Sequence, residues 1–496
     1  MGEYKTPGVY IKEKKAFGNS VVEAETAIPV FIGRTEKAQN GTESLLNKPV
    51  RISAMTEYEQ YFGGPQIHRF IVSFSDSENA GTLRVKCSGN YLQAKLENNH
   101  CTLYYHLRLF FANGGSTCYI VSVGDYNTQS LDKDVINNTV LPVLKKEPEI
   151  TLLVIPEAAE LPEGYADFYT AMLSHCAANN RFAILDVPKD VDKSDFRTKV
   201  GSNFLAYGAA YYPWLETTVL SDNDITEDIM LLDESMDFNM LVDKTGLANG
   251  AAHPLVQYMK EAFGDLEKAK DEQDKAVKRK EMHNVLLQNL PEYKLLARKI
   301  KDYLNLLPPS AAMAGLYTMV DQTRGVWKAP ANIAVNYASK PSVNLNDAEQ
   351  EDYNMPMNGK AINVIRAFPG EGVKVWGART LDGNSQDWRY INVRRTMSFL
   401  EISVKNAARA YVFEPNDANT WINMKCMIEN FLRSVWKRGG LAGATPEEAF
   451  EVHVGLGDTM TGNDILEGIL RITVLVAISH PAEFIEITFQ QQMQKS

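Results

Sequence analysis

Apolar residues fall along this 496-residue chain in two patterns. The first is the unbroken run. AIPVFIG (27–33), CYIVSVGD (118–125), ITLLVIPE (150–157) and RFAILDVP (181–188) are apolar at nearly every position. Runs of this length predict strands buried on both faces, as in a parallel sheet covered by helices. Between the last two runs, Phe168, Met172 and Cys176 recur at helical spacing, so strand, helix and strand form a βαβ unit. The second pattern is alternation. Near the C-terminus Ile485, Ile487 and Phe489 point one way at period two, and Glu486, Thr488 and Gln490 the other. That predicts a half-buried strand, yet no hairpin mate stands beside it. At the other end Val9 and Ile11 alternate with Tyr10 and Lys12 after the turn signal Thr6-Pro7-Gly8.

The remaining segments fill in an organisation. Residues 66–112 hold alternating pieces and predict a peripheral hairpin. Residues 215–305 read as a solvated insertion: 221–237 carries seven acids and no Lys or Arg, and 256–305 is dense in both charges. Pro308-Pro309 lead a helix, and 340–360 is a turn-rich linking loop. Two strand pieces flank Pro369-Gly370. A long helix is capped at Asn416 or Asp417 and stopped at Gly439-Gly440. A strand at 449–456, a helix starting at Thr461 or Asn463, and a strand at 471–479 follow. The fold class is mixed α/β. Its expected parts are an N-terminal arm (1–25), an α/β body with peripheral insertions (26–370), a C-terminal α+β domain (371–480) and a C-terminal arm (481–496).

Composition sharpens this only by exclusion. Apolar residues at 45% can build a large core, and the length suits about three domains. A net charge of -11 argues against a general nucleic-acid binder. The N-terminus has no apolar signal core, and no apolar run reaches the roughly 18 residues a membrane span needs. The chain is therefore expected to be made in the cytoplasm. Five scattered cysteines without a CxxC pair fit reduced, buried thiols.

Candidate chemistry is sparse. There is no Walker A loop, no GxGxxG after a strand, no HExxH and no GxSxG. The eight histidines are dispersed. His100-Cys101 with His106 comes nearest to a metal cluster but lacks four ligands in paired spacing, so a surface loop with a core cysteine is the plainer reading. Residues 454–468 have acids and glycines without EF-hand spacing. No catalytic residue, metal site or cofactor is expected. One charge feature stands out: 386–440 holds nine basic residues against five acids. Lys425, Arg433 and Lys437, followed by Arg438, fall on part of one helix face. Such a stripe would dock on an acidic partner, or it would simply suit the negative end of the helix dipole.

Several segments, in this order, resemble the tail sheath proteins of contractile phage tails and related contractile injection systems. They are TPGVY, AIPVFIGRTEKA, FFANGGSTCYIVSV, YYPWL and PPSAAMAGLYTMVDQTRGVWKAPAN, then INVIRAFPGEGVKVWGARTL and the block from WRYINVRRTMSFLEISVKNAARAYVF to ATPEEAF, and last the final strand segment. The resemblance is specific over 308–489 and patchy over 60–300. It implies a non-enzymatic subunit that polymerises in stacked hexameric rings around an inner tube, with baseplate and terminal cap proteins as further partners. It also implies a middle domain of subtilisin-like shape, a C-terminal domain nearest the tube, and terminal arms that add strands to sheets in neighbouring copies. Mapped here, the arm strands are Val9, Tyr10 and Ile11 and the segment Phe484, Ile485, Ile487 and Phe489. The tube-binding candidates are Lys425, Arg433, Lys437 and Arg438. Neither nucleic acid nor membrane insertion is expected. The competing readings are another self-assembling shell or surface-layer protein, or an α/β enzyme built on 150–188, which would show clustered titratable groups at its strand ends.

Overall fold

The apolar runs become the centre of a nine-stranded sheet. In the computed structural model, which describes residues 21–76, 82–161, 163–245 and 254–487, β1 (Pro29–Gly33) is buried at every position. The other strands of this sheet are β2 (Val50–Ile52), β6 (Cys118–Ser122), β7 (Leu152–Val154), β8 (Phe182–Asp186), β9 (Gly208–Tyr212), β11 (Ile333–Ala334), β12 (Asn363–Phe368) and β13 (Gly372–Val375). Their order is β11-β13-β12-β9-β8-β7-β1-β6-β2. The run from β12 to β6 is parallel throughout, and the strands beyond it on both sides are antiparallel.

Period two explains both faces. Phe31, Ile120, Val154, Ile184 and Tyr211 point to one core, with Leu107 and Phe110 of α1 (Leu103–Ala112) and Met313 and Leu316 of α4 (Ser310–Arg324). Val30, Ile32, Val121, Leu153 and Leu185 point to the other, with Phe168 and Met172 of α2 (Tyr165–Asn179). Each such side chain removed from water contributes about 1.5–3 kcal/mol. The fit is tight enough to dictate residue type: a Cβ at Gly315 would lie 2.4 Å from the Phe110 carbonyl oxygen.

A second sheet joins β3 (Phe70–Ser75), β4 (Leu83–Cys87), β5 (Asn90–Leu96) and β10 (Met230–Leu232) in the order β10-β3-β5-β4. The hairpin expected in 66–112 is β4–β5, but the same stretch also supplies α1, whose Leu107, Leu109 and Phe110 are fully buried. The solvated insertion is corrected more strongly. Helix α3 (Pro291–Leu304) carries Tyr293, Leu296, Ala297, Ile300 and Leu304 on one face, and all five are buried in the first core. The charge density of 256–305 belongs to the opposite faces of its helices. The acids of 221–237 are largely engaged locally: Asp222 meets Lys301, and Asp224 and Asp233 accept from Ser221 and Ser235.

The chain divides into two compact units. The larger takes in Ala27–Thr323 and Ala329–Ile391, and the smaller the described parts of Met1–Thr26, Arg324–Lys328 and Asn392–Ser496. Residues 371–391, grouped from sequence with the C-terminal domain, belong to the larger unit because β13 pairs with β12 in the large sheet.

The smaller unit is built on α5 (Ile391–Ala408) and α6 (Ala418–Lys437). Asp417 caps α6 by accepting from the amides of Asn419 and Thr420, each at 3.0 Å. Gly439, at φ 83°, ends it in the left-handed conformation that glycine tolerates best. Met424, Met427, Ile428, Phe431, Leu432 and Val435 form its buried stripe, and Phe431 meets Phe399 of α5 edge-on at 5.9 Å. Two strands, β14 (Phe450–His453) and β15 (Thr473–Val476), pair antiparallel and form a sheet of two strands among the described residues, with a single antiparallel bridge, Leu441 to Ile478, just beyond the end of β15.

Candidate assembly interface

The two-stranded sheet is where the smaller unit falls short of covering itself. Phe450 and Val452 of β14 face inward and are buried. Their cross-strand partners Val476 and Val474 share that face but remain partly exposed, and Leu475 points outward, 53% exposed. The deficit extends upstream. Ile465, Leu466, Ile469, Leu470, Ile472, Val474, Leu475 and Val476 are eight aliphatic residues within twelve positions, and none is buried. Leu466, in the short helix α7 (Gly462–Leu466), is 87% exposed. An isolated strand pair is marginal in water, and an exposed apolar patch beside an open strand edge is a template for pairing with another chain.

The C-terminal segment shows the complementary deficit. Residues 481–487 form no strand, and Phe484, Ile485 and Ile487 are exposed. The alternation seen in sequence therefore has no sheet within its own chain among the described residues. Phe489, Val9, Tyr10 and Ile11, the other arm candidates, lie outside the described residues.

The cationic candidates separate. Helix α6 exposes Ile422, Cys426, Asn430, Arg433 and Lys437 along one stripe, so Arg433 and Lys437 stand one turn apart at its C-terminal end. Cys426 is the one cysteine of the five that is not buried. Lys425 lies at the flank, 3.8 Å from Glu429. Arg438 turns away: its guanidinium forks onto Glu23 and lies over the Trp327 ring at 5.1 Å. Other bases of the 386–440 window are internal. Arg394 is buried and bonds Glu401 at 3.2 Å, and Arg395 donates to the Thr26 carbonyl. The local excess of positive charge is thus partly structural.

One constellation was missed from sequence. At the C-terminal ends of β1 and β7, Arg34 donates its Nε–H to Glu157 Oε2 at 3.0 Å, and both are buried. Arg34 also donates to the carbonyls of Thr128, Gln129 and His100. Glu157 Oε1 accepts from the amides of Thr102 and Leu103, which caps α1 from a distant part of the chain. Glu160 accepts from the Thr102 hydroxyl at 2.8 Å and meets His100 Nδ1 at 3.0 Å. Burial disfavours the charge on His100, but Glu160 outweighs it and holds its pKa above the ordinary value. Burial likewise opposes Glu160, and His100 nevertheless keeps it low. His68 and His106 complete the group; burial pushes them down to about 3 and about 4. Cys101, driven up to about 12 by burial, is inert. No group of His, Cys, Asp and Glu among the described residues is arranged to hold a metal ion. The sequence signal was available: Arg34 directly follows one of the unbroken apolar runs and Glu157 ends another.

Comparison with known proteins bears on both features. Residues 259–381 match a model of the phage tail sheath protein central domain, and 384–492 match a model of the phage tail sheath C-terminal domain. The tail sheath protein of Vibrio phage KVP40 is 27% identical over 152 residues, covering 30% of this chain and 22% of that protein. A putative prophage major tail sheath protein of Pseudomonas aeruginosa (strain UCBPP-PA14) is 24% identical over 191 residues, 37% of this chain and 46% of that protein. The chain thus spans less than half the length of these curated relatives. Solved structures match end to end. The sheath complex of an extracellular contractile injection system, PVC, in its contracted state aligns with TM-score 0.61 and 28% identity over 99% of both chains. The contracted helical sheath of the anti-feeding prophage aligns with TM-score 0.61 and 28% identity, over 99% of this chain and 100% of that one. Consecutive sheath models over its C-terminal half and end-to-end likeness to two injection-system sheaths place this chain in the contractile tail sheath family.

Proposed function

We propose that this chain is the structural subunit of a contractile sheath. Copies polymerise as helically stacked hexameric rings around an inner tube, and shortening of the polymer drives the tube into a target envelope. Baseplate and terminal cap proteins bound the assembly at its two ends. The observation that carries the reading is the pair of unmet surfaces in the smaller unit: an open two-stranded sheet beside eight unburied aliphatics, and an apolar C-terminal segment without a strand mate of its own. Strand addition satisfies both. The terminal segments of one copy complete the sheet of another through main-chain hydrogen bonds. Links made by extended segments let rings slide and rotate while staying joined.

In this mechanism assembly traps an extended lattice, and contraction releases it to one with more buried contact. A gain of ~1.4 kcal/mol per subunit favours the end state tenfold at each subunit, and the gains add along the polymer. No nucleotide is required. Arg433 and Lys437 grip an acidic tube surface in the extended form, with Lys425 at the flank of that contact, while Arg438 stays engaged by Glu23. Negative-stain microscopy of the protein expressed with its tube protein tests the reading: striated tubes support it, and flat lattices or dispersed particles defeat it.

An α/β enzyme is the second reading, and the clustered titratable groups at the ends of β1 and β7 favour it. Their burial weighs against it. Arg34 is 6% exposed and Glu157 1%, so a substrate has no route to either side chain. The cluster caps α1 and joins loops, which is a structural task.

A further inference from the structure

The polar hub at the ends of β1 and β7 contains more ionisable groups than its structural task needs. Arg34 and Glu157 satisfy one another and the backbone around them. His100 and Glu160 form a second pair. Two cations therefore face two anions. His68 and His106 lie outside this balance. Each is completely buried; neither ring nitrogen of His106 finds a hydrogen-bond partner among the described residues, and His68 has at most a poorly aligned contact with the Gln66 backbone. The His68 ring lies tilted against its neighbours, its centroid 4.9 Å from that of His100 and 6.0 Å from that of Tyr105 of α1, beside the Gln66 carbonyl. His106, one turn into α1, feels His100 and Glu160. The other faces are closed by neutral groups: Tyr303 of α3, 5.4 Å from His100, together with Cys101 and, on the Glu157 side, Tyr58 and Tyr126. Neither Glu157 nor Glu160 has a free partner role left for a third cation.

We propose that this hub is an acid-sensitive lock of the larger unit, in which uncharged His68 and His106 hold α1 against the strand ends and protonation of either one releases it. A proton arriving on either ring adds a buried charge beside His100; burial opposes it more strongly than Glu160, already engaged by His100 and Thr102, favours it, and His68 also feels Arg34. The same charge costs nothing in the unfolded chain, where both rings titrate near 6.5. Both folded values lie below that. The unfolded state therefore binds more protons through the interval, and the stabilisation is complete above about pH 6.5 and is lost as pH falls toward the folded values of about 3 and about 4. His100, raised by Glu160, acts in the opposite sense and offsets one part of the loss at most. The inference concerns the folded subunit and does not depend on its polymerisation.

Urea unfolding of the full chain at a series of pH values from about 7.5 to about 5 tests the lock. For the natural chain, the folding equilibrium constant should fall by up to about tenfold per pH unit for each of the two histidines. A double variant, His68→Phe with His106→Leu, should lose about tenfold or more of that decline between pH 6.5 and 5. His175 and His283 are buried elsewhere and present in both proteins, so their share cancels in the comparison. A variant whose acid decline parallels the natural chain overturns the proposal. Should the variant fail to fold, the natural chain decides the matter by itself through hydrogen exchange at histidine C2, read by mass spectrometry across pH. The lock requires His68 and His106 to stay uncharged at about pH 5 while His100 is protonated. Titration of either residue near 6.5 in the folded protein overturns it.

Discussion

The two units solve the same problem with opposite results. In the larger, β1, β6, β7 and β8 are buried at every position, and helices cover both faces of the sheet. In the smaller, a sheet of two strands leaves eight aliphatics between 465 and 476 uncovered. A parallel sheet buried on both faces needs nothing from outside. A strand pair with a half-covered apolar face does. The difference teaches where self-sufficiency ends in this chain: the larger unit covers its own sheet, and the smaller leaves an apolar face that the proposed strand addition would cover.

Four variants break or sharpen that contrast, in falling order of effect. Phe31→Ala opens a cavity where the ring packs edge-on against Phe110 at 5.1 Å, and should cost about 3–5 kcal/mol in urea denaturation of the full chain. Asp417→Ala removes the cap of α6 and should cost about 1 kcal/mol, read in the same way. Val474→Asp with Leu475→Asp tests the other half of the contrast. The pair is partly to mostly exposed, so folding should change by less than about 1 kcal/mol while sedimentation and microscopy show polymer formation abolished. A comparable loss of folding stability there would mean that β15 is an ordinary part of a closed core. Arg433→Glu with Lys437→Glu should move folding by no more than about 0.5 kcal/mol. It should weaken co-assembly with the tube protein, and the loss should shrink as salt is raised.

The contrast also explains what could be read from sequence. The strands of the large sheet were legible because continuous apolarity over a few residues has few other meanings. Asp417, Gly439 and Thr461 were legible because caps act on their own helix: Thr461 accepts from the Asp464 amide, three residues on. The hub was not, because it is assembled across the fold; Arg34 and Glu157 stand 123 residues apart. The stretch 256–305 was misjudged because charge on one face of a helix masks the stripe on the other, as at Tyr293, Leu296 and Ile300. The cationic stripe was half right in geometry. Arg433 and Lys437 share an exposed face, but helical spacing cannot show that Glu429 sits beside Lys425 or that Glu23 and Trp327 hold Arg438. The C-terminal alternation was legible as a pattern without a mate, and the described part of it lies exposed.

The account stands on terminal segments of one copy finishing the sheet of another. Its most direct test is removal of residues 1–20 and 481–496 from the same chain, followed by co-expression with the tube protein and imaging. The account predicts subunits that keep the urea midpoint of the full chain and remain dispersed. Cross-linked, striated tubes of normal length built from the doubly trimmed chain would contradict it.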